Sequence, residues 1–250
     1  MAMPAISILW LKRDLRWQDH AALQSALQAG LPLLAVYLKE PTQWAQIQYS
    51  DRQWQFVWDS VAAMNEVLGQ HKVHALRCEA LEFFEACEQR FEIKGIYSHQ
   101  EVGIQWTFDR DLALAEWCKE RNIPWNEFPT FGVARGLRQR KYWLKNWYTN
   151  IHAPIAPLNM ELCRTLLTAN PFPHWSAKAP ALAQNLYQRG GITRAHKVLD
   201  SFLLDRITVY ARSISKPRES RRGCSRVSPH LAWGNLSVRQ VFQRSRDLGV

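Results

Sequence analysis

Residues 1–130 repeat one pattern, a short apolar run followed by an amphipathic stretch. That repetition constrains the fold more than any other feature of the chain. The apolar runs are AISILWL (5–11), LPLLAVYL (31–38), KVHALR (72–77), IKGIYSH (93–99) and IPWNEF (123–128), each read as a strand. The stretches between them read as helices. Residues 19–30 space Ala22, Leu23, Ala26 and Leu27 helically and stop at Gly30. Residues 50–69 open with Ser50 and Gln53, a capping-box pair, and carry Trp54, Val57, Trp58, Val61, Met64 and Leu68. Residues 80–91 and 107–122 complete the set. Strands alternating with helices require right-handed crossovers. The expected fold class is therefore α/β, a five-stranded parallel doubly wound sheet of Rossmann-like type over residues 1–130. Ligands of such sheets sit beyond the carboxyl ends of the strands. After the first run stands KRDLRWQDH, without a G-x-G-x-x-G, which excludes the usual dinucleotide fingerprint.

The pattern weakens from residue 129. Residues 131–190 read as an interdomain connection with one or two short helices. Basic and aromatic residues interleave in RQRKYWLKNWY, which is compatible both with nucleic-acid binding and with a plain linker. Helical order returns near Gly190. Ala195, Val198, Leu199, Phe202, Leu203, Ile207 and Tyr210 form a stripe at helical spacing. Residues 191–250 are expected to begin an all-α domain too small to bury a core of its own, with the face of helix 193–210 left exposed.

Charge divides along the same line. Residues 1–130 hold 12 basic and 17 acidic residues, a net of −5; residues 131–250 hold 20 and 5, a net of +15. Such asymmetry points either to a polyanion partner for the second half or to a generally basic surface. Most of the 12 Trp are expected in cores. The five Cys include no C-x-x-C pair, so neither a zinc site nor a disulfide framework is expected, and no metal is assigned. The opening apolar run is too short for a signal peptide or a membrane span, which gives the expectation of a cytoplasmic protein.

The stretch SRRGCSRVSPHLAWGNLS (220–237) has the chemistry of an anion cradle. Ser228-Pro229 reads as an N-cap followed by Pro at the first helical position, and helix starts favour phosphate. Gly223 permits close backbone approach. Ser225 and Ser228 can donate hydroxyl hydrogen bonds, and Arg226 a charged one. Tyr210 is near enough in sequence to close over the same pocket. On this chemistry a phosphate site and a basic surface loop with an ordinary cap stand level.

Two motifs resemble the photolyase and cryptochrome family. LWLKRDLRWQDHAAL (9–23) is similar to its opening strand and turn, through Trp10, Lys12, Arg13, Asp14, Leu15, Arg16, Asp19, Ala22 and Leu23; His20 replaces the more usual Asn, a change read as a local cap or turn. GCSRVSPHLAWGNLSVRQ (223–240) resembles the family's flavin phosphate loop, with Cys224 where Thr is common and Val227 where Leu is. Residues 98–117 and 131–143 also resemble prokaryotic members, so the likeness runs along essentially the whole chain.

The resemblance implies a flavoprotein of blue-light chemistry. Reduced FAD, held by a helical domain, injects an electron into a pyrimidine dimer flipped out of DNA, the reaction of a deoxyribodipyrimidine photo-lyase. It implies FAD contacts at Tyr210, Cys224, Ser225, Arg226, Val227 and Ser228, an antenna chromophore of unspecified identity, and UV-damaged DNA as partner. No catalytic residue is assigned. An Arg common in the family between the tyrosine and Pro217 is Ile214 here, leaving Arg212 or Lys216 to substitute. Arg52 and Glu101 stand where some members touch the antenna, though a surface salt bridge is the favoured reading. In the family the helical domain continues for about as long again. The expectation is a truncated chain with half a cradle and a missing C-terminal half, not competent alone. Two alternatives stay open: a cryptochrome that signals without repairing, and a stand-alone α/β nucleotide- or nucleic-acid-binding module without flavin.

Overall fold

The computed structural model describes residues 3–130, 135–136, 139–181 and 187–249. Its frame is a sheet of five parallel strands, β1 (Ala5–Leu11), β2 (Leu33–Leu38), β3 (Val73–Leu76), β4 (Glu92–His99) and β5 (Trp125–Phe128), in the order β3-β2-β1-β4-β5. The chain steps outward from β1 to β3, returns to pair β4 with β1, and so leaves its topological switch point between those two strands. Between the strands lie α1 (Ala21–Gln28), a short α2 (Pro41–Trp44), α3 (Asp51–Leu68), α4 (Ala80–Glu88) and α5 (Gln105–Glu120).

The period-two rule of strands assigns the two cores. Ile6, Ile8 and Trp10 of β1 join Leu34, Val36 and Leu38 of β2 on the face covered by α4 and α5, through Phe83, Phe84, Leu114 and Trp117. Leu9 and Leu11 join Leu33, Ala35 and Tyr37 on the other face, covered by α1 and α3 through Leu23, Leu27, Trp54, Val57 and Met64. Residues 6–11 are all buried because both faces are covered, which is why the strand reads as a continuous apolar run.

The connection after β5 is not a free linker. After α6 (Trp143–His152), residues 153–181 run back over the α/β domain as a strap. Leu166 bridges to Leu33 and Ser176 to Leu76, at the β2 and β3 side of the sheet. Cys163, Leu166 and Ala177 enter one core and Phe172 the other. The segment 131–143, one of those carrying the family likeness, lies partly outside the described residues.

The expected single helix over 193–210 is α7 (Ile192–Ser201), one π-helical turn (Phe202–Arg206) and α8 (Ile207–Ser213). It is followed by α9 (Pro217–Gly223), α10 (Ser228–Ala232) and α11 (Val238–Asp247). Their common core is small, centred on Ala195, Leu199, Leu203, Val227 and Leu236. The stripe is half-buried rather than bare, with Leu204 and Ile214 the exposed large apolar residues of this stretch. No helix among the described residues is long and apolar enough to cross a membrane.

Candidate functional site

Between α3 and the helical segment lies a cavity of about 810 Å³, a size suited to an organic ligand. Tyr210, Cys224, Ser225, Arg226 and Ser228 all line it. Tyr210 and Ser225, 15 positions apart in the chain, thus share one concavity. Arg52, Arg221 and Arg226 supply positive charge, Ser220, Ser225 and Ser228 supply hydroxyls, and Phe56, Tyr187, Tyr210 and Trp233 supply aromatic surface. No carboxylate is among the described lining residues. Cations, hydroxyls and aromatic rings in one lining suit a ligand that carries both a phosphate and a ring.

The cradle is held from behind. The π-helical turn delivers Arg206, whose guanidinium donates to the carbonyls of Cys224 and Ser225, to Val198 O at 2.9 Å and to Ser201 Oγ at 3.1 Å. Burial pulls the Arg206 pKa down, and the nearby Arg226 charge adds to this while Asp205 opposes it. With those carbonyls taken by Arg206, the Ser225 hydroxyl and the Arg226 side chain remain for the cavity. Gln188 Nε2 donates to Arg226 O at 2.7 Å. Arg226 itself has φ 62°, the left-handed region that costs a side-chain-bearing residue about 1–2 kcal/mol. Gly223 packs on α8, where a Cβ would stand 2.3 Å from Ser213 Oγ.

Two expectations need correction. Val227 does not line the cavity; its side chain packs with Ala195, Leu199, Leu203 and Leu236, because the apolar position next to the turn is what anchors the loop. Ser228 is not the cap but the first residue of α10, with Val227 at the cap position and no side-chain cap bond. α10 has only five residues, so helix-dipole binding is not available there and anion recognition rests on the arginines and hydroxyls. The capped helix is the next one. Ser237 Oγ accepts from Gln240 N at 3.0 Å, and Gln240 Oε1 accepts from Ser237 N at 2.8 Å. The S-x-x-Q spacing at 237–240 is the sequence signal for that cap. Ile214 lines the cavity, whereas Arg212 and Lys216 do not, and Lys216 pairs with Glu219 at 3.4 Å.

Arg52 and Glu101 are not brought together. Arg52 faces the large cavity, with its guanidinium 5.3 Å from the Tyr187 ring. Glu101 is buried, not on the surface, and accepts from Arg13 Nε at 2.9 Å. It belongs to a buried network at the carboxyl ends of β1, β2 and β4, in which Arg110 pairs with Glu40 and Asp111, and Lys12 with Asp111 at 3.0 Å. Burial lowers the Lys12 pKa, against the pull of Asp111. The space left beside Glu101 is about 10 Å³, and Trp44 stacks on Trp233 with centroids 5.8 Å apart nearby. The chain's own side chains fill the carboxyl end of its switch point.

Asp14, His20 and His99 put a carboxylate oxygen and two ring nitrogens within 4.8 Å of one another, all buried, the one such donor group among the described residues. The geometry is that of a hydrogen-bonded cluster. His20 Nδ1 accepts from Leu23 N at 3.0 Å and caps α1, so in the neutral ring the proton sits on Nε2. A metal at Nε2 would need that proton moved to Nδ1, against the Leu23 N–H. Nε2 lies 3.1 Å from Asp14 Oδ2, off the angle of a regular hydrogen bond, while His99 Nδ1 meets the same oxygen at 2.7 Å. Burial alone would raise the Asp14 carboxyl, but the two imidazoles outweigh it and hold the group well below the usual range. His20 is pushed down to about 4, chiefly by burial.

The family model described as DNA photolyase matches residues 7–133. A cryptochrome DASH from Synechocystis is 31% identical over 282 residues, covering 96% of this chain and 54% of that protein. A bacterial class III photolyase from Agrobacterium tumefaciens superposes with a TM-score of 0.76 at 21% identity, covering 100% of this chain and 54% of that one. An archaeal photolyase from Sulfolobus tokodaii, solved with two FAD molecules, superposes with a TM-score of 0.68 at 18% identity, covering 96% and 54%. The chain spans about half the length of the curated relatives that it matches along most of its own length.

Proposed function

The chain belongs to the DNA photolyase family, and from that premise we propose that the cavity of Tyr210, Ser225 and Arg226 grips the diphosphate of FAD. The observation that carries this reading is the cavity's make-up: three arginines, three serine hydroxyls and four aromatic rings, with no carboxylate among its described lining residues. Arg226 and Arg221 offset the diphosphate charge, and Ser225, Ser228 and the Tyr210 phenol donate hydrogen bonds to its oxygens. Phe56 and Trp233 form the apolar wall that keeps water from a ring. FAD supplies the light-driven one-electron chemistry when bound.

In the whole protein this site serves photolyase-type repair, the splitting of pyrimidine dimers flipped out of DNA. Residues 1–130 form the α/β domain, 131–190 the connection and 191–250 the first part of the FAD domain. The arginines that lack acidic partners among the described residues, including Arg212, Arg218 and Arg222 beside the cradle, favour a polyanion such as DNA. A signalling cryptochrome is the second reading, favoured by the name of the 31% identical relative. Restoration of UV-damaged DNA under blue light separates the two.

The cradle is tested by adding FAD, desalting and reading the flavin absorbance of the protein. A charged hydrogen bond to phosphate contributes about 1.5–3 kcal/mol, so Arg226→Ala should weaken FAD binding by about one to two orders of magnitude. DNA affinity should change far less. Equal flavin retention by Arg226→Ala and the wild type overturns the assignment.

A further inference from the structure

We propose that the cavity beyond the carboxyl ends of β2 and β3 is a binding site for a phosphorylated sugar, either free or as part of a nucleotide. This site is separate from the FAD cavity and independent of that reading. Ligands of parallel sheets sit past the carboxyl ends of the strands. At the switch point between β1 and β4 that space is filled by side chains. The open space lies at the edge of the sheet. A cavity of about 730 Å³ is bounded there by Lys39, the residue after β2, by Arg77 and Cys78, the residues after β3, by the first turn of α3 and by the strap.

The strap forms a fixed wall. Arg77 N donates to Trp175 O at 2.6 Å, Ala177 N to Ala75 O at 2.9 Å, and the Trp54 indole N–H to Lys178 O at 2.8 Å. Between these bonds the Trp175 ring stacks on Phe172, with centroids 5.3 Å apart and planes 27° apart, and Phe172 is fully buried in the core. Trp175 therefore lines the cavity from a rigid seat. A wall pinned before the ligand arrives spares binding the cost of ordering it.

Charge selects the ligand. Lys39, Arg77 and Lys178 line the cavity, and none of them makes an ion pair among the described residues. Lys39 is half-buried, with Nζ 4.5 Å from the centre of the Trp54 ring and 5.6 Å from that of Trp44, so its charge rests on indole faces rather than on a carboxylate. Burial pulls its pKa down; Asp51 opposes this and the Arg77 charge adds to it. Like charges gathered with no carboxylate in contact leave a place for an anion with several acceptor oxygens, which a phosphate supplies. The two acids of the lining, Asp51 and Glu82, also make no ion pair among the described residues. A carboxylate accepts hydrogen bonds and repels a bare phosphate, so these two favour a phosphate that carries hydroxyl groups. Trp175 gives the apolar surface for the carbon face of a sugar. A dicarboxylate would satisfy the cations but has no donor for Asp51 and Glu82.

The test is calorimetric titration of the chain with ribose 5-phosphate, AMP and inorganic phosphate. The two sugar phosphates should bind more tightly than inorganic phosphate. Equal affinity for both identifies a free sugar phosphate as sufficient, and tighter AMP a nucleotide. Arg77 is exposed and its side chain makes no hydrogen bond or ion pair, so the fold does not depend on it. Arg77→Gln should weaken both sugar phosphates by about 10- to 100-fold, the share of one charged hydrogen bond. Glu82→Gln should narrow the gap between ribose 5-phosphate and inorganic phosphate. Arg226→Ala, in the other cavity, should leave these affinities unchanged. Absence of sugar-phosphate binding, or wild-type affinity in Arg77→Gln, overturns the site. Inorganic phosphate binding as tightly as ribose 5-phosphate overturns the choice of a sugar. Loss of binding in Arg226→Ala would put the ligand in the FAD cradle and overturn the edge cavity as its place. Flavin retention by Arg77→Gln reports the FAD cavity alone, so the two readings fail separately.

Discussion

At His20 one ring nitrogen links local structure to acid stability. Its Nδ1 caps α1 and its ring is wholly enclosed, so the folded protein resists protonating it until about pH 4. The unfolded chain takes up that proton near pH 6.5. Between those values the unfolded state binds more protons, and stability falls as pH drops from 6.5 to 4. Asp14, held well below 3.8, extends the loss to lower pH. His20→Asn keeps a capping side chain and removes the titration. Its melting temperature should fall less steeply than the wild type's between pH 7 and 4; His74, His196 and His230, also shifted down by burial, supply the remaining slope. Identical profiles would contradict the assignment. Gly234 is the other residue on which much rests. It has φ 70°, and a Cβ there would lie 2.2 Å from Arg13 O and 2.5 Å from Asp14 Cα. Gly234→Ala should cost well beyond the roughly 1–2 kcal/mol of its backbone conformation, read as a drop in the urea midpoint. An unchanged midpoint would show that the turn after β1 and the Trp233 turn are not in fixed contact.

Among the elements, the π-helical turn Phe202–Arg206 matters most to the site. A one-residue insertion in a helix is invisible to a periodicity count, which runs the apolar stripe straight through 193–210. The insertion turns Arg206 toward the back of the cradle, a placement common for π-turns near functional sites. Arg206→Met keeps much of the stem and removes the bonds to Cys224 O, Ser225 O and Val198 O. The variant should melt lower and bind FAD more weakly, although Arg206 does not line the cavity. Undiminished FAD affinity would mean the loop keeps its shape without the clasp. α10 shows the opposite limit of sequence reading. Ser-Pro correctly marks a helical start, but the Trp233-Gly234 turn ends it after five residues.

Across the whole molecule, the α/β domain and the helical segment are joined by buried polar contacts as well as apolar ones. Asn235 is fully buried; it donates to Leu15 O at 3.0 Å and accepts from Gly191 N at 3.0 Å. His230 Nδ1 lies 3.0 Å from the same oxygen. Asn235→Leu leaves a carbonyl and an amide unpaired, at about 1–3 kcal/mol each. Unfolding should shift by at least that sum's lower end, and loss of coincidence between near-UV and far-UV transitions should follow as the two parts uncouple. An unshifted, coincident transition would argue that apolar packing alone holds them. Charge acts at the same scale. With a net of +15 on residues 131–250 against −5 on residues 1–130, DNA affinity should fall steeply with salt. Affinity indifferent to salt between about 50 and 200 mM would remove the basic half as a polyanion surface.

Alternation by itself determined the α/β class, the five strands and their places in the chain, because a strand's two-residue period and a helix's turn are local properties. The composition of residues 220–228, by contrast, left a phosphate site and a basic surface loop level. Sheet order, the strap over β2 and β3, and the meeting of Arg52 with Arg226 in one cavity were decided only by tertiary structure. So were the burial of Glu101 and the gathering of Asp14, His20 and His99. The reason is physical: these pairings join residues far apart in the chain, and their energies depend on what else is buried beside them rather than on any pattern of neighbours.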